Sequence, residues 1–532
     1  MLPKRIYSGV RPYLTAVAVI VVVGLLVSAI FFTDLGMQWI TFLTGILIAS
    51  VLGMASRASR AEWIITRRTA QLSSIKEKLE HETQLRKKAS SEQQQTHSLL
   101  EQTEQAFNRL IPRQLLKLLD RDSILDVKLG DQVERKLTIM FTDIRSFTTL
   151  SETMTPQENF NFLNSYLKQM EPIIGKNNGI IDKYVGDTIL ALFPRGADDA
   201  LSGAIQMLEK LEEYNAGRAR ASYAPVKIGF GLNTGLVMIG TVGGENRMES
   251  TVIGDAVNLT SRIEESTKIY NTPLLISQNT LYDLAIPGKY DIRFLDRIRV
   301  KGKTQPLSIY EVFNNDLIKL RDAKRATKIK FEKAVMYYHL EEIPLAMELL
   351  SQCITSAPQD LPARIYLSRC HSYQSNGQHV STGELNNPLE WKDEFQIGIE
   401  NIDVSHKLQF DKTNEFISAS LTGDTKKIQE VFSELASHQM ESITLEEQLM
   451  RQYNYPFLDS HLQEHKRFIE NYSALKEEVE AKFCDLPLVI FRSQLLLFDW
   501  FTGHIAKSDR HFGRYLSHAM TPSVSAQNTQ SK

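Results

Sequence analysis

Ile181-Asp182-Lys183-Tyr184-Val185-Gly186-Asp187-Thr188-Ile189-Leu190-Ala191-Leu192-Phe193 is the stretch on which the reading of this chain turns. A short apolar lead-in reaches Asp182 and Lys183. Gly186 suits the φ > 0 position of a tight hairpin. Asp187 then opens a second apolar strand, so the hairpin displays a cation and a carboxylate at its tip. Upstream, Leu137 to Phe141 reads as another strand, followed by Thr142-Asp143. Two carboxylates at strand ends suit Mg²⁺ or Mn²⁺. Downstream, Thr251 to Arg262 reads as a strand end running into a helix. Asn258 and Arg262 share one face of that helix, a turn apart.

The surrounding residues, 136–316, alternate strand and helix patterns. Pro156 to Met170 and Asp198 to Tyr214 are amphipathic, Val226 to Leu232 is a strand leading into Asn233-Thr234-Gly235, and Arg247 to Ile253 is another strand. That pattern predicts an α+β domain. FTDIRSFT (Phe141–Thr148), DKYVGD (Asp182–Asp187) and TVIGDAVNLTSR (Thr251–Arg262), in this order, strongly resemble the class III nucleotide cyclases.

The resemblance implies a ferredoxin-like sandwich that closes the ribose 3′-hydroxyl onto the α-phosphorus of a nucleoside triphosphate. It implies two Mg²⁺ or Mn²⁺ held by Asp143, Asp187 and the Ile144 carbonyl. Asn258 would orient the ribose and Arg262 would meet the α-phosphate. Lys183 and Thr251 would read the base. Lysine only donates, which suits adenine N1, and a threonine hydroxyl can accept from the 6-amino group. A guanylate-type site would carry Glu and a smaller residue there, so ATP is the expected substrate. Thr251 also matches a subgroup described as bicarbonate-stimulated. Lys301 or Lys303 would contact the phosphates. The family divides these residues between two subunits; all are present in this chain, which implies a homodimer. The alternatives are a guanylate cyclase, or a non-catalytic iron or O₂ carrier with a silent cyclase-like domain.

The chain has 532 residues and net charge −2, which predicts several domains and gives no hint of nucleic-acid binding. Three scattered cysteines exclude a disulfide framework. Towards the N-terminus, 14–32 and 37–54 are uncharged, each close to the ~20 residues that span a bilayer. Lys4, Arg5 and Arg11 precede them, and Arg57, Arg60, Arg67 and Arg68 follow. Residues 1–61 are therefore expected to form a membrane hairpin in the inner (cytoplasmic) membrane, with both ends in the cytoplasm. Residues 62–112 carry one heptad seam (Ile65, Leu72, Leu79, Leu100 and Phe107, with Ile75, Ala89 and Leu110) broken by polar residues, which predicts a parallel coiled-coil stalk. The cyclase-like domain takes 113–316. Residues 317–387 read as one tetratricopeptide-like helical hairpin and a linker, 388–520 as a four-helix bundle, and 521–532 as a disordered tail.

Seven of the twelve histidines lie between His406 and His518, which points to a metal site in the bundle. His461 and His465 share a helix face; His504 and Asp509 lie close on the next helix. Trp391, GIENIDVSHK, LEEQLMRQYNYP, HLQEH and HIAKSD resemble bacterial hemerythrins over about 390–518. That likeness implies a non-haem di-iron site. One iron would take His461, His465 and His504; Glu446 and Asp509 would bridge; His406 would bind the second iron. The family's further histidine is replaced by Ser442, and His438 lies one turn back. The fusion implies a cyclase regulated by O₂, redox state or nitric oxide.

Overall fold

The computed structural model describes residues 18–28, 30–31, 36–110, 113–121, 123–244, 247–299, 306–377, 390–422, 424–481 and 485–520. The chain divides into two units, Met1–Leu110 and Ile111–Lys532.

In the first unit, one helix, α1 (Met37–Leu110), takes in both the second apolar run and the expected stalk. No proline or glycine interrupts it beyond Gly53, so nothing in the sequence stops it. Ile65, Leu72, Ile75, Leu79 and Leu100 are exposed along it. Among the described residues no helix is long and apolar enough to cross a membrane, so the expected hairpin is not found there. Of the first expected span, residues 14–17, 29 and 32 lie outside the described residues, as do the Met37, Ile40 and Leu43 side chains of the second. The expected disordered tail, 521–532, lies outside them entirely.

The second unit opens with α2 (Arg113–Leu118) and the long strand β1 (Gln132–Ile144). There follow α3 (Phe147–Glu152), α4 (Pro156–Lys176), the hairpin β2 (Ile180–Val185) and β3 (Thr188–Phe193), and α5 (Ala197–Arg220). Next come β4 (Ile228–Gly244), β5 (Arg247–Ile253), α6 (Asp255–Tyr270), β6 (Leu274–Ser277), α7 (Gln278–Asp283), β7 (Ile292–Arg299) and β8 (Pro306–Val312). The strands form one sheet in the order β2-β3-β1-β4-β6-β8-β7, with β5 paired to β4. Among the described residues only β4 and β6 pair in parallel. α4 starts on a capping box, Thr155 with Glu158, with Pro156 in the first turn. Its buried face (Phe162, Tyr166, Met170 and Ile174) joins α5 over the sheet residues Met140, Ile189 and Phe230. On the sheet, Leu137, Ile139, Leu190, Val237 and Val252 share a second apolar cluster. The domain is α+β, as the strand–helix pattern predicts.

The stretch read as a single helical hairpin is instead three helices, α8 (Ile318–His339), α9 (Ile343–Ser356) and α10 (Leu361–Asn376). The chain turns at Glu341, whose φ is +61°, and again before Pro362 in the first turn of α10, which Asp360 caps. The bundle follows: α11 (Glu400–Thr422), α12 (Thr425–Gln452), α13 (Leu458–Glu480), and a last rod made of α14 (Leu486–Asp499), a π-helical segment (Trp500–Asp509) and α15 (Arg510–Met520). Phe294 of β7, Phe331 of α8, Tyr366 of α10 and Phe491 of α14 share one apolar core. The sheet domain, connector and bundle thus bury apolar surface together.

Candidate active site and candidate metal centre

β1 pairs with β3 so that Thr142 faces Ile189, which brings the strand-end Asp143 beside Asp187 in the β2–β3 turn. Gly186 has φ +65°, the conformation that turn demands. Asp187 Oδ2 accepts the Ile144 backbone N–H at 3.0 Å. Asp143 accepts from the Thr188 hydroxyl and the Lys268 ammonium, both at 2.9 Å. Burial, then the Asp143 carboxylate beside it, push Asp187 up to about 6. Burial opposes charge on Asp143 too, but Lys268, Asp187 and Thr188 hold its carboxyl below the ordinary range. Two oxygen donors crowded at a strand end, one of them reluctant to ionise beside the other, suit a divalent cation.

Lys183 reaches β5. Its Nζ donates to Thr251 Oγ1 at 3.1 Å and to Glu249 Oε1 at 3.2 Å, and lies 3.6 Å from Asp182 Oδ2. A register shift between Ile181 and Lys183 leaves Asp182 as a bulge, re-aiming the lysine. The Asp182 carboxylate is buried without a hydrogen bond, and burial raises its pKa.

α6 presents Asn258, exposed, and Arg262, half-buried, one turn apart. α6 lies hard against β4: a Cβ on Gly231 would sit 2.4 Å from the Glu264 backbone nitrogen. Within one chain the structure thus joins Asp143 to Asp187 and Lys183 to Thr251. Lys301 and Lys303 lie outside the described residues.

In the bundle, ligand atoms of Glu446, His461, His465, His504 and Asp509 all lie within 4.8 Å of one another, and all five residues are buried. His406 Nε2 is 3.1 Å from Glu446 Oε1 and 3.4 Å from Asp509 Oδ2. His461 Nε2 and His504 Nε2 each approach Asp509 Oδ1 at 3.0 Å. His465 Nε2 is 3.3 Å from Glu446 Oε2. In an α-helix His504 and Asp509, five apart, would point about 140° from each other. The wider π turn brings them onto one face.

His438 does not join the cluster; it is partly exposed, and its Nδ1 lies 3.8 Å from Glu441. Ser442 does, donating to Glu446 Oε1 at 3.0 Å. Glu446 Oε2, both Asp509 oxygens and His461 Nε2 are buried with neighbours at 3.0–3.4 Å but without an aligned hydrogen bond. Lone pairs of carboxylates and imidazoles that converge without aligned hydrogen bonds are a donor set that fits a cation at its centre.

Four contributors were not foreseen from sequence. Lys268 and Glu249 reach the active-site groups across the fold. Glu447 accepts from His465 Nδ1 at 3.1 Å and Glu464 from His504 Nδ1 at 2.8 Å. Glu464 stands inside HLQEH, but its partner is on another helix, so no spacing announces it.

A family model described as "Adenylate and Guanylate cyclase catalytic domain" matches residues 130–313. The adenylate cyclase of Anabaena cylindrica is 41% identical over 219 residues, 40% of this chain and 44% of that one. The terminal-differentiation specific adenylate cyclase of Dictyostelium discoideum is 35% identical over 292 residues, 53% of this chain and 13% of that one. The chain therefore spans less than half the length of these curated relatives. The crystal structure of the adenylyl cyclase CyaB from P. aeruginosa aligns with TM-score 0.32 at 34% identity, over 35% of this chain and 98% of that one. Residues 130–313 are a cyclase catalytic domain.

Proposed function

We propose that this chain, with its cyclase catalytic domain at 130–313, is an adenylate cyclase that converts ATP to 3′,5′-cyclic AMP and pyrophosphate. The observation that carries the reading is one hairpin that sets Asp187 beside Asp143 and Lys183 on Thr251. Asp143, Asp187 and the Ile144 carbonyl would hold two Mg²⁺ or Mn²⁺, which lower the pKa of the 3′-hydroxyl and neutralise the polyphosphate. Asn258 orients the ribose. Arg262 places a guanidinium where charge builds on the α-phosphate. Lys183 donates to adenine N1, and Thr251 accepts from the 6-amino group.

In this proposal the enzyme is a homodimer with two equivalent sites, each taking its metal aspartates from one subunit and Lys183, Thr251, Asn258 and Arg262 from the other. The exposed apolar seam of α1 supports a paired stalk. Exposed Trp39, Phe42, Ile46, Ile48 and Leu52 support anchoring of this end at the inner membrane.

The bundle is proposed as a hemerythrin-like non-haem iron module. His461, His465, His504, Asp509 and Glu446 would hold one ion; His406, with Ser442 in place of a histidine, would leave the second more open. O₂, redox state or nitric oxide acting there would set turnover. The test offers ATP or GTP with Mn²⁺ to the purified chain, with the bundle chelated, reduced or air-exposed. ATP turnover that changes with bundle state is expected. GTP preference would refute the substrate, and state-independent turnover would refute the regulation.

A further inference from the structure

The metal cluster and the catalytic domain meet at one carboxylate. Glu464 lies on α13 between His461 and His465. Its Oε2 accepts from His504 Nδ1 and from the Ser508 hydroxyl, both at 2.8 Å. Its Oε1 accepts from Lys136 Nζ at 2.8 Å. Lys136 belongs to β1, the strand that ends at Asp143 and Ile144. The ammonium also lies 3.4 Å from Asp283 Oδ1, and Arg467, one turn after Glu464 on α13, donates to that oxygen at 2.8 Å. Lys136 and Glu464 side chains are 21% and 23% exposed, so neither is freely solvated. Both line a cavity of about 380 Å³ between the catalytic domain and the bundle, which His504 and Trp500 also border.

An imidazole that binds a metal through one nitrogen is normally oriented by an acceptor on the other. Glu464 has that place at His504, and it is itself held by a residue of the catalytic domain. We propose that the catalytic domain completes the bundle's metal site: Lys136 is a positioning residue for His504, acting through Glu464, and the same contact carries the bundle's metal state to β1. The inference rests on the reading of the bundle as a metal site. Without Lys136, Glu464 loses the cation on Oε1 and can turn into the cavity, away from His504. Because coupling between two sites is reciprocal, a contact that lets metal act on β1 must also let β1 act on metal affinity. A mere docking salt bridge would leave that affinity untouched.

The test is a Co²⁺ titration of the full chain followed by visible absorption, with the band assigned to the bundle by its loss in His461→Ala. Lys136→Met is expected to weaken Co²⁺ binding about 10–100-fold, the usual effect of losing an outer-shell partner, and to shift the band. Lys136→Arg is expected to restore most of the affinity. The change in ATP turnover on metal loading should disappear in Lys136→Met. If that variant does not fold, the neutral hydrogen-bonding Lys136→Gln takes its place in the same assay. Unchanged Co²⁺ affinity in the folded variant would overturn the inference and leave the metal reading standing. A parent chain that binds no Co²⁺ at the bundle would overturn the metal reading and the inference with it.

Discussion

Arg293→Met should loosen the joint between the catalytic domain and its helical connector by stranding one buried carboxylate. The Arg293 side chain is fully buried on β7. It donates to Glu311 at 2.6 Å and, through two nitrogens, to Asp360 at 2.7 Å each. Glu311 would keep Lys324 at 2.6 Å. Asp360, the cap of α10, would keep a long bond from the Ala363 backbone at 3.4 Å. The loss is therefore that of one broken buried pair, about 3–5 kcal/mol, rather than two. At 1.36 kcal/mol per decade, that is roughly a 10²- to 10³·⁷-fold acceleration of amide exchange in α10. Hydrogen exchange of the Arg364–Cys370 amides in the full chain measures it. Adding Asp360→Asn removes the stranded charge and should recover more than half of the loss. Acceleration below about tenfold, or a double variant that exchanges faster than the single one, would refute this reasoning. Burial opposes charge on Glu311, but Arg293 and Lys324 hold its carboxyl down at about 2, from an ordinary 4.5. A depressed carboxylate stabilises the fold above its unfolded value and ceases to as pH falls through the folded one. In the parent, the contact of β8 with β7 and α8 should therefore loosen between about pH 4.5 and 2.

Asp143→Asn should lower ATP turnover by about 10²-fold or more while far-ultraviolet circular dichroism stays unchanged, because a metal-ligand charge is lost and the strand is not. Asp187, pushed up to about 6, carries a proton below that pH, so at limiting Mn²⁺ turnover should fall roughly tenfold per unit below it and level off above about 7. The same raised value makes the metal-free fold gain stability as pH falls through about 6. Lys183→Glu should cut kcat/KM for ATP by about 10²-fold or more, since a carboxylate cannot donate to adenine N1. Removing metal from the bundle should lower its melting temperature, by the equivalent of about 2.7 kcal/mol where the ion had stood at a hundred times its Kd.

How far the sequence carries can be followed residue by residue. Gly186, the apolar runs of β1 and β3, and the amphipathic stretch from Pro156 are local signals, and the structure has the hairpin, strands and helix where they point. Asp143 and Asp187 meet because strand pairing brings two such ends together, which the motifs already imply. Lys268 on Asp143, Glu249 on Lys183 and Lys136 on Glu464 join residues 125, 66 and 328 positions apart, and no periodicity encodes such pairs. The α-helical period also misjudges His504 and Asp509, which need the π segment to converge. In the connector, Pro362 and the left-handed Glu341 divide what reads as a hairpin into three helices. The apolar run 37–54 reads as a span of its own, yet it is the first part of a 74-residue helix.

Cyclic AMP formation by mixed subunits tests the catalytic account most directly. Chains carrying Asp143→Asn and chains carrying Arg262→Ala are each expected to be inactive with ATP and Mn²⁺. Mixed, they should regain turnover, because one of the two interface sites in each heterodimer then has all its residues. Two inactive variants that stay inactive when mixed, with dimers shown to exchange, would contradict a site shared between subunits.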